Sequence, residues 1–165
     1  MAKTNRFNLP FRRRRQLKTD YKKRLALLKS RTPRLVVRKS NANTVVQIIE
    51  YRPDGDVILA QGSTAQLAGF GWKASQGSIP AAYLAGYLAG TRALKAGVSD
   101  VIADLGMQEP YHGGRLFAAV KGALDAGLSV PASDSAFPSE ERLSGTHIDE
   151  SMPKLVEAVK KKVGA

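Results

Sequence analysis

The pattern of apolar and polar residues in the first half of the chain predicts three short β-strands. Apolar and β-branched residues dominate each run, and clusters of Asn, Ser, Pro and Gly separate one run from the next. Connections this short favour an antiparallel meander. The three predicted strands are residues 34–39 (RLVVRK), 44–50 (TVVQIIE) and 56–61 (DVILAQ).

Alternate side chains of the second predicted strand differ in polarity. Val46 and Ile48 share one face, and Gln47 lies on the other face with Val45 and Ile49. The Gln47 face is the less apolar of the two. It is therefore the candidate for the side of the sheet that opens to solvent or to a partner.

The second half of the chain changes to helical periodicity, with one further apolar strand. That strand follows a helix that itself follows a sheet, so it is expected to join parallel to an earlier strand through a right-handed crossover. The predicted fold class is α/β, a mixed sheet in the order βββαβα. These elements are a helix at 80–96, a strand at 98–105, a helix at 115–126 and a short strand at 128–131.

Glycines occupy two kinds of position in this region. Gly86 and Gly90 lie inside the predicted helix 80–96, which costs about 1 kcal/mol each relative to Ala, so another backbone is expected to approach closely there. The sheet is the expected neighbour. The Gly-rich stretch 62–79 lacks the spacing of a nucleotide-phosphate loop, and its Phe70 and Trp72 are expected to cover an edge of the core.

The N-terminal segment is basic. Residues 1–16 have no sustained period and are expected to form an extended arm, disordered on its own. From Leu17 to Leu28 the apolar residues recur at intervals of four and three, which predicts an amphipathic helix over residues 17–29 with lysines on its other face. Pro33 follows that helix.

The C-terminal segment is expected to pack on the core. Residues 132–145 are polar and contain Pro138, so they are predicted to be a surface loop. A terminal helix is predicted from Ser151 onward, with one apolar side formed by Leu155, Val156, Val159 and Val163. The expected division of the chain is a basic arm and helix at 1–32, an α/β core at 33–131 and a C-terminal loop and helix at 132–165.

The distribution of charge along the chain is more informative about a partner than any motif. Residues 1–39 hold fifteen Lys and Arg and one acid, a net charge of +14, whereas residues 40–165 have a net charge of −2. A basic excess confined to one segment indicates a polyanionic partner, because Lys and Arg that meet phosphates release condensed counterions. Nucleic acid is the leading candidate, and an anionic membrane surface is the second.

Composition excludes several classes of site. The chain has no cysteine, so disulfides, thiolate catalysis and thiolate zinc sites are ruled out. The basic N-terminus has no apolar run of the kind found in signal peptides, and no run is long enough to span a membrane. A soluble, cytosolic protein without a membrane span is therefore expected.

The stretch from Asp104 to Arg115 is the most chemistry-like part of the sequence. It joins the end of a strand to a helix, where α/β folds place ligands, and it contains His112. A nuclease would need several acids around a metal, and only Asp104 and Glu109 are close in sequence. His112 is interpreted as a loop histidine, and Arg115, at the unfavourable end of a helix dipole, as a phosphate contact.

Several segments resemble one family. RRRRQLKTDYKKRLALL at residues 12–28, TPRLVVRKSNANTVVQII at 32–49 and PAAYLAGYLAGTRALKAG at 80–97 are similar to the archaeal and eukaryotic type of large-subunit ribosomal protein eighteen, the 5S ribosomal RNA binder. The YHGGR element and SVPASDSAFPSEERLSGTHI extend the resemblance over nearly the whole chain. The absence of the long C-terminal extension of the eukaryotic type favours an archaeal source.

The resemblance implies a structural protein without catalytic activity, located in the ribosome's central protuberance. Its implied partners are 5S ribosomal RNA, the large-subunit ribosomal RNA and neighbouring ribosomal proteins. Tyr21 is expected either to stack on a base or to pack inside the protein. The residues expected to contact RNA are Arg6, Arg12, Arg13, Arg14, Arg15, Lys18, Tyr21, Lys22, Arg24, Arg38, Lys39, Asn41, Asn43, Gln47, His112 and Arg115.

Two other functional classes stay open at this point. A metal-dependent nuclease would require Asp104 for activity. A general RNA-binding protein or RNA chaperone would bind any RNA with equal affinity.

Overall fold

The computed structural model describes residues 9–164 and contains a four-stranded sheet in the order β3-β2-β1-β4. β1 and β2 have the bounds that the alternation predicts, and β3 is shifted towards the C-terminus. The strands are β1 (Arg34–Lys39), β2 (Thr44–Glu50), β3 (Val57–Ser63) and β4 (Ile102–Asp104).

The strand pairing confirms the mixed α/β sheet. β1 pairs antiparallel with β2, and β2 pairs antiparallel with β3, which together form the predicted meander. β4 pairs parallel with β1, with Arg34 opposite Ile102 and Val36 opposite Asp104. The chain therefore leaves the meander, forms a helix and returns to the free edge of β1.

Six α-helices accompany the sheet in the described part of the chain. Ser78 caps α3 by accepting a hydrogen bond from the backbone N–H of Ala81, and Pro80 lies in the first turn. Two 3-10 helices cover Thr64–Phe70 and Asp134–Ala136. The α-helices are α1 (Arg12–Arg15), α2 (Tyr21–Leu28), α3 (Ile79–Lys95), α4 (Arg115–Asp125), α5 (Glu140–Ser144) and α6 (Met152–Gly164).

The main core lies between one face of the sheet and the helices α3 and α4. Leu35 and Val37 of β1 are buried there, as are Val46 and Ile48 of β2. The intervening side chains of β2, which include Gln47, point to the opposite face and are only partly buried. The prediction that the Gln47 face is the more open side of β2 is therefore confirmed.

Helix–helix contact explains the glycines of α3, and the prediction that the sheet is their neighbour is wrong. A Cβ on Gly86 would overlap the carbonyl of Ala119 in α4, and one on Gly90 would meet Ala123. Gly122 of α4 approaches the backbone of α3 in the same way. The sheet approaches α3 through its own glycine, Gly62 of β3. Small residues thus allow two helices to lie close together on one face of the sheet.

A second apolar cluster holds the C-terminal segment. Val156 and Val159 of α6 pack with Leu67 and Trp72, which confirms the predicted apolar side of the terminal helix. Trp72 is 4% exposed, so its predicted position over the edge of the core is also confirmed. No helix in residues 9–164 is long and apolar enough to cross a membrane.

Predicted elements in the second half of the chain also differ from the structure, including the short strand predicted at 128–131, which is not a strand there. The segment 132–145 is not simply a surface loop, because α5 forms there with Leu143 buried and Gly145 in the left-handed region at its end. The strand predicted at 98–105 is reduced to β4, since β1 begins only at Arg34. Before that point Asp100 forms an isolated parallel bridge with Ser129.

Candidate nucleic-acid interface

The basic segment forms two short helices in place of the one predicted over residues 17–29. Leu17 has φ 52°, in the left-handed region, and separates α1 from α2. Asp20 then caps α2, its carboxylate accepting the backbone N–H groups of Lys22 and Lys23. The predicted helix began too early, at residue 17, because the spacing of apolar residues does not reveal that Asp20 is an N-cap. The expectation of an extended arm is wrong for Arg12–Arg15, which form α1.

The apolar stripe of the basic segment does not pack on the core. Leu17 is 73% exposed and Leu25 is 59% exposed. Tyr21 contacts Phe11, with ring centroids 5.3 Å apart. Tyr21 therefore packs against a second exposed aromatic ring beside the arginines of α1, and both rings border solvent. Arg6, one of the predicted contacts, lies outside the described residues.

A chain of ion pairs connects α2 to the sheet. Arg24 of α2 donates to both carboxylate oxygens of Asp56 at 2.9 Å. Arg34 lies 2.7 Å from Asp56 and, through its other terminal nitrogen, 2.7 Å from Asp104. Arg38 completes the chain at 3.2 Å from Asp104. We call these five residues the arginine–aspartate chain. It links α2, the start of β3, β1 and β4.

The arginines keep the carboxylates of this chain ionised. Burial would raise the pKa of Asp104, but the charge of Arg38, the Gly106 N–H and the guanidinium donors together hold that pKa below its ordinary value. Burial acts in the same direction on Asp56, and the hydrogen bond and charge of Arg24, with Arg34, lower its pKa. Both acids therefore stay negative and fix the positions of three arginines.

Two polar side chains from outside the hairpin, Gln108 and Arg115, form hydrogen bonds with the backbone at the turn between β1 and β2. Gln108 pairs with the backbone of Lys39, accepting its N–H at 3.0 Å and donating to its carbonyl at 2.7 Å. The Arg115 guanidinium donates to the carbonyls of Ser40 at 3.1 Å and Asn41 at 3.4 Å. Arg115 therefore joins the start of α4 to the turn, which fixes the turn as an ordered surface.

The three amide side chains of the hairpin have different surroundings. Asn41 is exposed, and no hydrogen bond joins its side chain to another described residue. Asn43 accepts a hydrogen bond from the hydroxyl of Thr64 at 3.2 Å. Gln47 donates to Gln61 on the neighbouring strand at 3.0 Å. Asn41 is therefore the amide with its full hydrogen-bonding capacity available, and the other two contribute to the fold as well.

The loop before α4 places two more rings near the hairpin. Tyr111 is 63% exposed, and the Lys39 ammonium lies 5.8 Å from its ring centroid. A hydrogen bond to Glu109 raises the pKa of the Tyr111 hydroxyl. His112 bonds to the carbonyl of Ser135 at 3.1 Å, as expected of a loop histidine that bonds to backbone.

A basic cavity of about 120 Å³ lies between the N-terminal helices and the sheet. It is lined by Arg13 and Lys18 from the arm and by Arg24 from α2, and on the sheet side by Arg38. The structure thus brings arm residues and a strand residue to one place, although their positions span more than twenty residues of the chain.

Comparisons with known proteins identify the family. Residues 5–102 match the family described as "Ribosomal large subunit proteins 60S L5, and 50S L18". The "Large ribosomal subunit protein uL18" of Korarchaeum cryptofilum (strain OPF8) is 49% identical over 157 residues, which cover 95% of this chain and 80% of that protein. The protein of the same name from Methanoculleus marisnigri (strain ATCC 35101 / DSM 1498 / JR1) is 50% identical over 153 residues, 93% of this chain and 87% of that protein.

The chain belongs to this family. Its relatives from archaea confirm the archaeal resemblance read from the sequence. As a family member it is a structural constituent of the large ribosomal subunit, located in the ribosome of the cytoplasm and associated there with ribosomal RNA and ribosomal proteins. The segment matched by the family, residues 5–102, includes α1, α2, the meander and α3, and ends before His112 and Arg115.

Family membership also bears on the residue that a nuclease would use. The relatives are ribosomal structural proteins. Asp104 is 6% exposed and its two carboxylate oxygens are bonded to Arg34 and Arg38. Its carboxylate therefore acts as the anchor for two arginines, which is a structural role.

Sequence reasoning missed several residues of this surface. Arg34 offered the clearest indication, because an arginine in a strand of buried apolar residues requires an acidic partner. Its partners, Asp56 and Asp104, lie far away in sequence and become apparent only from the fold. Gln108 and Tyr111 lie in an irregular loop where no periodicity indicates a role.

Proposed function

We propose that this ribosomal protein binds 5S ribosomal RNA and attaches it to the large-subunit ribosomal RNA in the central protuberance. The observation that carries the proposal is the set of exposed cations on α1 and α2, brought together with Arg38 at one cavity, and the ordered turn that follows β1. The resemblance of the sequence and the family membership support the same assignment.

The basic surface supplies the affinity in this proposal. Residues 12–15 are four exposed arginines on one helical turn, and Lys18 and Lys22 follow them on exposed positions. Cations this close together neutralise RNA phosphates and release the counterions condensed on the RNA, which strengthens binding to any RNA. Phosphate contacts position an RNA without reading its sequence.

The ordered surface supplies the preference for one RNA. An RNA duplex hides its base edges in a deep groove and displays 2′-hydroxyls, so recognition depends on shape and on polar groups held in fixed positions. The turn held by Gln108 and Arg115 is such a position, and the Asn41 amide both donates and accepts. The partly exposed strand face around Gln47 adjoins it.

The proposed contacts divide into two groups. Arg38 and Arg24 already bond to aspartates, so they serve RNA with their remaining N–H groups and also hold the frame. The proposed phosphate contacts are Arg6, Arg12, Arg13, Arg14, Arg15, Lys18, Lys22, Arg24 and Arg38. The remaining proposed RNA contacts, which reach ribose, base or phosphate, are Tyr21, Lys39, Asn41, Asn43, Gln47, His112 and Arg115.

Sequencing of the RNA that co-purifies with the tagged protein from its own ribosomes, after mild dissociation of the subunit, tests the proposal. The expected result is enrichment of 5S ribosomal RNA over all other small RNAs. Purified components then give the affinities for 5S ribosomal RNA and for an unrelated structured RNA of equal length. If about six to ten phosphates are neutralised, both affinities fall by about three to five decades between roughly 50 and 200 mM salt.

A preference for 5S ribosomal RNA at every salt concentration supports the proposal. Equal affinity for the two RNAs would overturn it and would leave a general RNA-binding protein. The comparison is made at matched salt, because electrostatic affinity without a stated salt concentration is not interpretable.

A further inference from the structure

We propose that the basic cavity between the N-terminal helices and the sheet is a binding site for one phosphate group of the RNA backbone. The inference rests on the proposed function for its ligand and adds a specific site to it. It also adds Arg34, which the sequence did not indicate, and Lys23, one of the lysines on the polar face of the predicted helix, to the residues that surround RNA.

The charge around the cavity is strongly unbalanced. Six cationic side chains line it, and two of the lining residues, Asp20 and Asp104, are acidic. Asp56, which bonds to Arg24 and Arg34 from outside the lining, still leaves an excess of three positive charges. Like charges this close repel one another unless an anion joins them. The lining cations are Arg13, Lys18, Lys23, Arg24, Arg34 and Arg38.

Several donors at the cavity remain available for an anion. Arg13 uses its Nε to donate to Thr19 at 2.9 Å, which holds the side chain and leaves its two terminal nitrogens. No hydrogen bond or ion pair joins the Lys18 ammonium to another residue within 9–164. Lys23 donates to the Gly106 carbonyl at 3.2 Å and keeps two further N–H groups. Arg13, Lys18 and Lys23 therefore bring their remaining donors to the same cavity.

The buried arginine of the cavity is incompletely satisfied by the protein. Arg34 is 2% exposed, and its Nε has no hydrogen-bond partner among the described residues. A buried donor without an acceptor is costly, and native structures rarely leave one. The Nε itself is out of reach of solvent, so Arg34 contributes to the cavity through its charge, which a phosphate group matches.

The size and frame of the cavity suit a phosphate group. One water needs about 10 to 15 Å³, so a cavity of about 120 Å³ has room for a tetrahedral oxyanion. The arginine–aspartate chain holds Arg34 and Arg38 in place before any ligand arrives. Gly106, with φ +64°, lies against the Arg38 guanidinium, where a Cβ would come within 2.8 Å of its central carbon. Preorganised donors of this kind cost little ordering entropy on binding.

The first experiment uses inorganic phosphate as the probe and the full-length chain as the sample. The melting temperature is measured in sodium phosphate and in sodium chloride at equal ionic strength and pH. The test variant is Arg13→Gln with Lys18→Gln, and the control is Lys154→Gln with Lys161→Gln, which removes two exposed cations of α6 that neither line the cavity nor belong to the proposed RNA contacts. Both variants lose two positive charges.

Phosphate should raise the melting temperature of the parent and of the control, but not that of the test variant. Equal melting temperatures in phosphate and chloride for the parent would overturn the site. All four altered side chains are exposed, so a normal cooperative melt in chloride is expected of every protein and verifies that each variant is folded.

The second experiment decides whether the phosphate belongs to RNA. Affinities for 5S ribosomal RNA and for an unrelated structured RNA are measured at one salt concentration for the parent and both variants. The test variant should lose about tenfold more affinity than the control, since it removes charge-assisted hydrogen bonds to the bound phosphate and the control removes none. Equal losses for the two variants would overturn the inference and leave a site for free anions only.

The two proposals fail in different ways. A parent protein without preference for 5S ribosomal RNA would refute the proposed function. A larger loss in the test variant on both RNAs would still support the phosphate site, because phosphate contacts do not depend on sequence.

Discussion

Arg34 donates to Asp104 across 2.7 Å, and the side chains of this pair are only 3% and 8% exposed. Arg34 lies on β1 and Asp104 on β4, so the pair spans the parallel ladder that the crossover creates. Taking two charges out of water is costly, and the pair is stable only because each partner has further hydrogen bonds. Gly106 and Arg38 donate further hydrogen bonds to Asp104, and Asp56 accepts a further one from Arg34.

Loss of the Asp104 charge should strongly destabilise the fold. The Asp104→Asn variant keeps the shape of the side chain but leaves the Arg34 charge with Asp56 alone. We expect a loss of about 3 to 5 kcal/mol in the free energy of unfolding, measured by urea denaturation. The control is Glu50→Gln, which removes the exposed pair with Arg52 and should cost about 1 kcal/mol or less. Similar small losses in both variants would contradict the structural role of Asp104.

Acid should destabilise the arginine–aspartate chain. The folded protein holds the pKa of Asp56 and Asp104 below the ordinary value of 3.8. The unfolded chain therefore binds more protons than the folded one at low pH, and the contribution of these acids is present above that value and lost as the pH falls below it. Urea denaturation between pH 3 and 6 should show a fall in stability at the acid end. The fall should be smaller in Asp104→Asn, and an identical pH dependence would argue against this source.

Close helix packing makes a separate prediction. Alanine at Gly86 would place a methyl group against the Ala119 carbonyl of α4, so the helices must separate. Overpacking of this kind costs about 1 to 3 kcal/mol, and we expect Gly86→Ala to lose that much in the free energy of unfolding. Gly69→Ala is the matched control, because nothing lies within 4 Å of its added methyl group. An unchanged stability in Gly86→Ala would show that α3 and α4 can move apart freely.

The sequence predicted best where local physics determines the structure. Alternation of side chains gave the bounds of β1 and β2, and the cap at Ser78 marked the start of α3. Leu17 was assigned to a helix because it fits the apolar spacing. The N-cap formed by Asp20 overrides that spacing and places Leu17 in a turn.

Partners distant in sequence were beyond prediction from a local pattern. Arg24 and Arg38 were expected to contact RNA as independent cations. Their pairing with Asp56 and Asp104 depends on which strands become neighbours, and so does the cavity that they share with Arg13. The sequence also could not predict that α4 is the neighbour of Gly86. A glycine inside a helix indicates that another backbone lies close, and that backbone can belong to the sheet or to another helix.

The last prediction concerns the division of labour between the hairpin turn and the arm. A cation on an exposed helical turn strengthens binding to every RNA, so replacing Arg12–Arg15 by Gln should weaken binding to 5S ribosomal RNA and to an unrelated RNA about equally.

Asn41 lies in a turn held by Arg115, and its amide is exposed, so Asn41→Ala should reduce the preference for 5S ribosomal RNA at unchanged melting temperature. Asn43→Ala is the structural comparison, because it removes the acceptor of the buried Thr64 hydroxyl and should lower stability. All affinities are measured at one salt concentration. Full preference in Asn41→Ala, together with a lost preference in the arginine variant, would reverse the assignment and place recognition in the arm.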